Sequence, residues 1–167
     1  MSVAEHKAAA PVHVRCFVVT VSDTRTEETD TGGRAVVDML TAAGHVVAGK
    51  RIVRDEPTEV RALVEAQVAS ADVDAVIATG GTGISSRDST YEALTALFDR
   101  TLDGFGEAFR MLSYEDIGPA AMLSRACAGT ARGKIVILLP GSEKAVRLAM
   151  DKLIVPELAH LVREVRR

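Results

Sequence analysis

DAVIATGGTGISSRDSTYEALTALF, residues 74–98, decides the fold. Its opening, Asp74 to Thr79, is an apolar run with β-branched residues, the pattern of a strand buried on both faces. Three glycines in four residues follow, Gly80, Gly81 and Gly83 around Thr82. Glycine lets the backbone take φ > 0 and approach a ligand closely. Past the turn, Tyr91, Leu94, Leu97 and Phe98 recur at helical spacing. The order is strand, glycine turn, helix. Such a turn aims backbone N–H groups and the positive end of a helix dipole at one point, which suits a phosphate. Asp88 stands just before the helix. An acid beside an anion site is expected where Mg²⁺ joins the two. The spacing is not the dinucleotide fingerprint, because Ser86 takes the third glycine's place. It is not a Walker P-loop, because no Gly-Lys-Ser/Thr closes it. By itself the turn also reads as a tight strand-to-helix connection without a ligand.

Strands and helices alternate on either side of this stretch. Cys16–Val21 reads as another strand buried on both faces, followed by the loop SDTRTEETDTGG. A helix with Ala35, Val36, Met39, Leu40 and Ala43 on one stripe stops at Gly44. His45–Val53 is a strand, and Pro57 opens a helix whose core face is Val60, Leu63, Val64 and Val68. Ile135–Leu139 is a further strand, leading through Pro140-Gly141-Ser142 into a helix, and Pro156 starts a last one. The region from Arg100 to Gly129 holds Gly104, Gly106, Gly118 and Pro119 and is expected to be short helices and irregular chain. This order predicts an α/β fold, a three-layer α/β/α sandwich with a mostly parallel, doubly wound sheet. Ligands bind such folds at the carboxyl ends of the strands. The chain forms a single domain over residues 14–167, with 1–13 as a flexible, frayed tail.

The composition is ordinary for a globular protein: 167 residues, 47% apolar and 26% charged, with net charge −3. That charge argues against a general nucleic-acid binder. Cys16 and Cys127 suggest neither a disulfide framework nor a metal cluster, which fits a reducing cytoplasm. No apolar run reaches the ~18 residues of a membrane helix. His6, His13, His45 and His160 do not cluster, and no Ser-His-Asp or Cys-His set is evident.

The chemical candidates fall on the loops that leave strand ends. Asp88 precedes Ser89-x-x-Glu92, a capping-box pattern. If Ser89 caps the helix, Asp88 is free for chemistry; if Asp88 caps it, its role is structural. Asp55, before Glu56-Pro57, reads by itself as a helix-start acid. Ser22 and Asp23 end the first strand and either line a ligand or satisfy loop N–H groups. Asp30 and Gly32-Gly33 are either a cap or a second set of anion donors, and Ser142 is a cap that can also donate to a phosphate. Arg25, Arg87, Lys134, Lys144 and the C-terminal arginines read as solvated surface.

Together, VSDT (21–24), DTGG (30–33), TGGTG…RDST (79–90) and LPGS (139–142) resemble the MoaB/Mog family of molybdenum-cofactor biosynthesis proteins. Residues 104–129, GFGEAFRMLSYEDIGPAAMLSRACAG, resemble its MoaB branch. The resemblance spans about residues 14–161. It implies binding of molybdopterin, a pterin dithiolene with a terminal phosphate. It implies adenylyl transfer from ATP with Mg²⁺, giving molybdopterin-AMP and pyrophosphate. Asp88 and Asp55 then match the family's catalytic, metal-holding acids, which reverses the reading of Asp55 alone. Gly80, Gly81, Thr82 and Gly83 match the phosphate-binding turn, and Ser22, Asp23 and Ser142 match positions lining the cleft. The alternative is a non-catalytic molybdopterin carrier or assembly scaffold. The resemblance also implies a homotrimer or homohexamer and contact with other molybdenum-cofactor enzymes. Residues 104–129 are the expected contact surface or, equally, a satellite cluster folded under the loop.

Overall fold

A computed structural model describes residues 2–11 and 13–167. Four strands run parallel: β1 (Arg15–Val21), β2 (Val46–Val53), β3 (Ala75–Thr79) and β6 (Lys134–Leu139). Two short strands, β4 (Arg100–Thr101) and β5 (Cys127–Ala131), pair antiparallel at one side. The six-stranded order is β2-β1-β3-β6-β5-β4. The strand order therefore reverses between β1 and β3, which is where a doubly wound sheet opens its ligand crevice.

Side-chain alternation on the central strands makes the layers. Cys16, Val18, Ala75, Ile77, Ile135 and Ile137 pack on one face with α2 (Thr31–Ala42), α5 (Asp103–Ile117), α6 (Glu143–Ala149) and α7 (Val155–Val165). Phe17, Val19, Val76, Ala78, Val136 and Leu138 pack on the other with α3 (Pro57–Ala69) and α4 (Thr90–Thr95). Burial on both faces is why these strands read as unbroken apolar runs. The edge strand β2 has no buried residue.

Three expectations change. Of the tail over residues 1–13, Met1 and Val12 lie outside the described residues; within the rest, α1 (Val3–Ala8) is closed by a capping box between Ser2 and Glu5 and touches α7, where Lys7 pairs with Glu157. The soft region from Arg100 contains the 15-residue helix α5. Gly106 reads as a breaker but marks close packing: a Cβ there would meet Arg110 Nη2 at 2.5 Å and the Ala126 carbonyl at 2.9 Å. The same region supplies β5, joined to β6 by the two-residue turn Arg132-Gly133, both at positive φ. Pro156 does not begin a separate helix. The chain stays helical from Glu143 to Val165 through a wider π stretch at Met150–Ile154, just before Pro156, whose missing N–H leaves one helix bond unmade.

Arg166, read as surface, closes the amino-terminal edge of the sheet. Asp74 is 3% exposed and accepts from Arg15 N–H (2.8 Å), Nε (3.1 Å) and Nη2 (2.8 Å), and from Arg166. Burial raises the Asp74 pKa, but the arginines and the Arg15 N–H outweigh it and hold the carboxyl below its ordinary value. The folded chain therefore binds fewer protons here than the unfolded one. The stability this gives is complete above about pH 4 and is lost as pH falls further, through the folded pKa. Asp74→Asn is expected to cost about 2 kcal/mol at neutral pH. Urea melts of both forms at pH 7 and near pH 3 check this; a gap that does not narrow in acid removes the account.

Candidate functional site

The carboxyl edge is where four loops are forced together. Ser22 N–H donates to Val53 O (2.8 Å), tying the end of β1 to β2, and Gly80 N–H donates to Leu139 O (2.9 Å), tying β3 to β6. Gly80 and Gly81 both have positive φ. A Cβ on Gly80 would strike the Val21 carbonyl, and one on Gly81 would strike Thr90 Oγ1. A Cβ on Gly141 would lie 3.5 Å from Gly80 Cα, and one on Gly32 would lie 3.2 Å from Gly141 O. Side chains are therefore excluded at Gly80 and Gly81, while Gly32 and Gly141 mark where the neighbouring loops come close.

The turn brings Asp88 and Asp55 to this edge in different states. Asp88 is half-buried; its Oδ2 accepts the Ser85 N–H at 3.1 Å and would lie 2.6 Å from a Cβ on Gly83. Asp55 is 7% exposed, and its Oδ1 accepts the hydroxyls of Ser89 (2.8 Å) and Thr90 (3.4 Å). Ser89 occupies the N-cap position of α4, but its hydroxyl is given to Asp55, so the expected capping box does not form. Asp88 is not the cap either. The helix is six residues long, too short to carry the dipole expected of it.

Asp23 Oδ1 accepts the Asp55 N–H (3.1 Å), and the Asp23 carboxylate accepts Arg87 Nε (2.8 Å) and Nη2 (3.1 Å). The Arg87 contact, then the Asp55 N–H, hold the Asp23 carboxyl below its usual range, and Asp23 with Glu56 (3.1 Å) raises the Arg87 pKa. Arg87, expected to be solvated, thus straps the loops after β1, β2 and β3. Asp30 resolves to a cap: it accepts Gly33 N–H (2.9 Å) and Thr20 Oγ1 (2.7 Å) and pairs with Lys50 (2.8 Å). Burial raises its pKa, but these partners more than offset it, leaving it below the ordinary value.

The remaining predicted residues divide between two hollows. Ser22 and Ser142 line one of about 340 Å³, with Thr20, Arg25, Asp30 and Gly141. Ser22 Oγ also accepts the Thr24 and Arg25 N–H groups (3.2 and 3.0 Å), and Ser142 Oγ caps α6 through the Ala145 N–H (3.2 Å). Asp88 lines the other, of about 370 Å³, with Ile84, Ser85, Ser89, Glu92 and Arg125. Asp55, Asp23 and the Gly80–Gly81 backbone line neither; they form the packed junction of the loops. Thr82 is buried. Among the described residues no three His, Cys, Asp or Glu side chains gather as a metal cage. Two carboxylates suit a Mg²⁺ that arrives with phosphates, since that ion takes only one or two protein oxygens. His13 and His45 bond to Gly44 O and Val14 N–H at the far, amino-terminal edge.

Arg125 was missed. It reaches the glycine turn from 43 positions away, and no spacing in the sequence announces that contact.

The mostly parallel sheet, with a glycine turn and the acids Asp55 and Asp88 beside it at the carboxyl edge, defines a doubly wound α/β domain. Residues 17–160 match the family described as "Probable molybdopterin binding domain", and the chain belongs to it. Its relatives include proteins of the B type. The chain is 55% identical over 168 residues to "Molybdenum cofactor biosynthesis protein B" of Bacillus subtilis (strain 168), an alignment covering 100% of this chain and 99% of the relative. A crystal structure of a Molybdenum cofactor biosynthesis protein B superposes with a TM-score of 0.91 at 53% identity, over 95% of this chain and 99% of that one. The tungsten cofactor synthesizing protein MoaB from Pyrococcus furiosus superposes with a TM-score of 0.85 at 36% identity, over 95% and 100%. The resemblance drawn from the four motifs is thereby borne out. Among the described residues, no helix is long and apolar enough to cross a membrane.

Proposed function

We propose that this protein adenylylates molybdopterin in molybdenum-cofactor biosynthesis. The terminal phosphate oxygen of the pterin attacks the α-phosphorus of Mg-ATP. A new P–O bond forms, the α–β bridge breaks, and pyrophosphate leaves with the bonding electrons. The observation that supports this is the meeting of the glycine turn with Asp88 and Asp55 at one strand end. Transfer of this kind needs positioning and charge neutralisation more than covalent help. Backbone N–H groups of the turn hold phosphate oxygens. Asp88, with Asp55 as the second acid beside the same glycine turn, would hold the Mg²⁺ that accompanies ATP, and that ion would offset the charge on the triphosphate. The attacking phosphate is already ionised at neutral pH, so no histidine base is required.

The test is purified protein with molybdopterin, ATP and Mg²⁺, followed by pyrophosphate release and the mass of molybdopterin-AMP. Product dependent on Mg²⁺ is the expected result. Pterin binding without product makes the chain a carrier instead, and neither product nor binding removes both readings.

The same reading includes self-association as a homotrimer or homohexamer in the cytoplasm. Residues 104–129 divide: Phe109 is fully buried in the core, while Met111, Tyr114, Ile117, Met122 and Leu123 are 50–77% exposed along α5 and the turn after it. Five large apolar side chains exposed along one stretch support reading it as a contact face. Met111→Asp combined with Tyr114→Asp is expected to yield monomers in sedimentation velocity. A wild-type chain that sediments as a monomer disproves the assembly.

A further inference from the structure

Arg125 lies between the 3₁₀ turn Gly118–Leu123 and β5, and its side chain is 26% exposed. Its Nε donates to the carbonyls of Thr82 (3.2 Å) and Gly83 (3.0 Å). Its Nη2 donates to the carbonyls of Gly83 (2.6 Å) and Asp88 (3.1 Å), and its Nη1 pairs with Glu92. Its backbone N–H also donates to Thr82 O (3.2 Å). The guanidinium sits 4.8 Å from the centre of the Tyr91 ring. Arg125 thus spends its donor fork on the inner side of the glycine turn, and its charge is met by Glu92.

The consequence appears on the outer side of the turn. In a planar trans peptide the C=O and N–H point in opposite directions. Carbonyls of Thr82 and Gly83 drawn toward Arg125 therefore turn the N–H groups of Gly83 and Ile84 away from it. Neither N–H has an acceptor among the described residues. The third carbonyl, that of Asp88, ties the backbone of the acid to the same guanidinium. Two free donors and one carboxylate are thus set by a single planar group that faces away from them.

We propose that Arg125 is a positioning residue: it fixes the Gly83 and Ile84 amides and the Asp88 backbone as one phosphate-facing surface. This rests on the glycine turn being the phosphate site of the proposed reaction. A lysine keeps the charge but is a point donor, and it does not span three carbonyls as a rigid fork does.

The experiment compares wild type with Arg125→Lys, Arg125→Gln and, as a control for loss of an arginine ion pair at the surface, Arg61→Gln. Inorganic pyrophosphate is titrated while the Gly83 and Ile84 amide resonances are followed, at a temperature well below every variant's melting point. Pyrophosphate release is measured in parallel. In the wild type both amides are expected to shift. In Arg125→Lys the half-saturation concentration is expected to rise about tenfold, the equivalent of one charge-assisted hydrogen bond. The turnover number falls about 100-fold through misplacement, while the KM for pterin stays within about threefold. Arg61→Gln stays within about threefold of wild type in all readouts, because its pair with Glu65 is exposed and neither residue lines the hollow beside Asp88. Arg125 variants that lose only melting temperature, with pyrophosphate affinity and turnover intact, overturn the proposal and leave Arg125 a structural staple. If the wild type makes no product yet its amides still respond in an Arg125-dependent way, adenylylation fails and the positioning role stands. If the wild-type amides do not respond to pyrophosphate, the positioning role is wrong whatever the activity.

Discussion

Asp88→Asn is expected to lower pyrophosphate release about a thousandfold, the scale of losing a main electrostatic stabiliser in a transfer site, while leaving the fold intact. The reason lies in how little the carboxylate does structurally. It accepts one backbone N–H, from Ser85, and an asparagine carbonyl oxygen accepts the same bond. What asparagine removes is the negative charge that, in the proposed reaction, would be offered to the Mg²⁺ accompanying ATP. Initial rates of pyrophosphate release, alongside a thermal melt, separate the two effects. Turnover within about threefold of wild type would sink the role given to Asp88, since surface-scale electrostatics alone explain a change of that size.

Asp55 should behave differently because it is committed on both sides. Asp55→Asn keeps an acceptor for the Ser89 and Thr90 hydroxyls and loses only charge, so turnover is expected to fall about 100-fold with a small change in stability. Asp55→Ala removes the acceptor as well. Thr90 is fully buried, so its hydroxyl is left without a partner, at a cost of about 2 kcal/mol. Denaturant melts and pyrophosphate release on the two variants decide the matter. An alanine variant as stable as the asparagine variant would mean the hydroxyls find other partners. An asparagine variant with normal turnover would leave Asp55 as a bracket for the α4 loop and nothing more.

The parallel half of the sheet was legible because burial on both faces writes itself as runs such as Val76–Ile77 and Ile135–Leu139. The glycine turn was legible because positive φ at Gly80 and Gly81 leaves few other residue choices. Other features misled. Gly104 and Gly106 suggested broken chain but lie inside α5, Gly104 in its first turn and Gly106 where close packing against Ala126 overrides propensity. Ser89 and Glu92 have capping-box spacing, yet both side chains are claimed from elsewhere, by Asp55 and Arg125. Two signals were readable and passed over: Ser2-x-x-Glu5 before α1, and Arg132-Gly133 between β5 and β6.

By itself the amino-acid order determined the class of fold, the edge of the sheet where the candidate residues gather, and Asp88 and Asp55 as acids on its loops. Periodicity and glycine placement are local properties, and they survive in one dimension. Only the tertiary structure decided what those acids are bound to. Asp55 meets Ser89 and Thr90, Asp23 meets Arg87, and Arg125 takes hold of the glycine turn across gaps of 34 to 64 residues. A hydrogen bond across such a gap constrains one donor and one acceptor and imposes no repeat on the residues between. It becomes visible only when the strands have set their loops side by side.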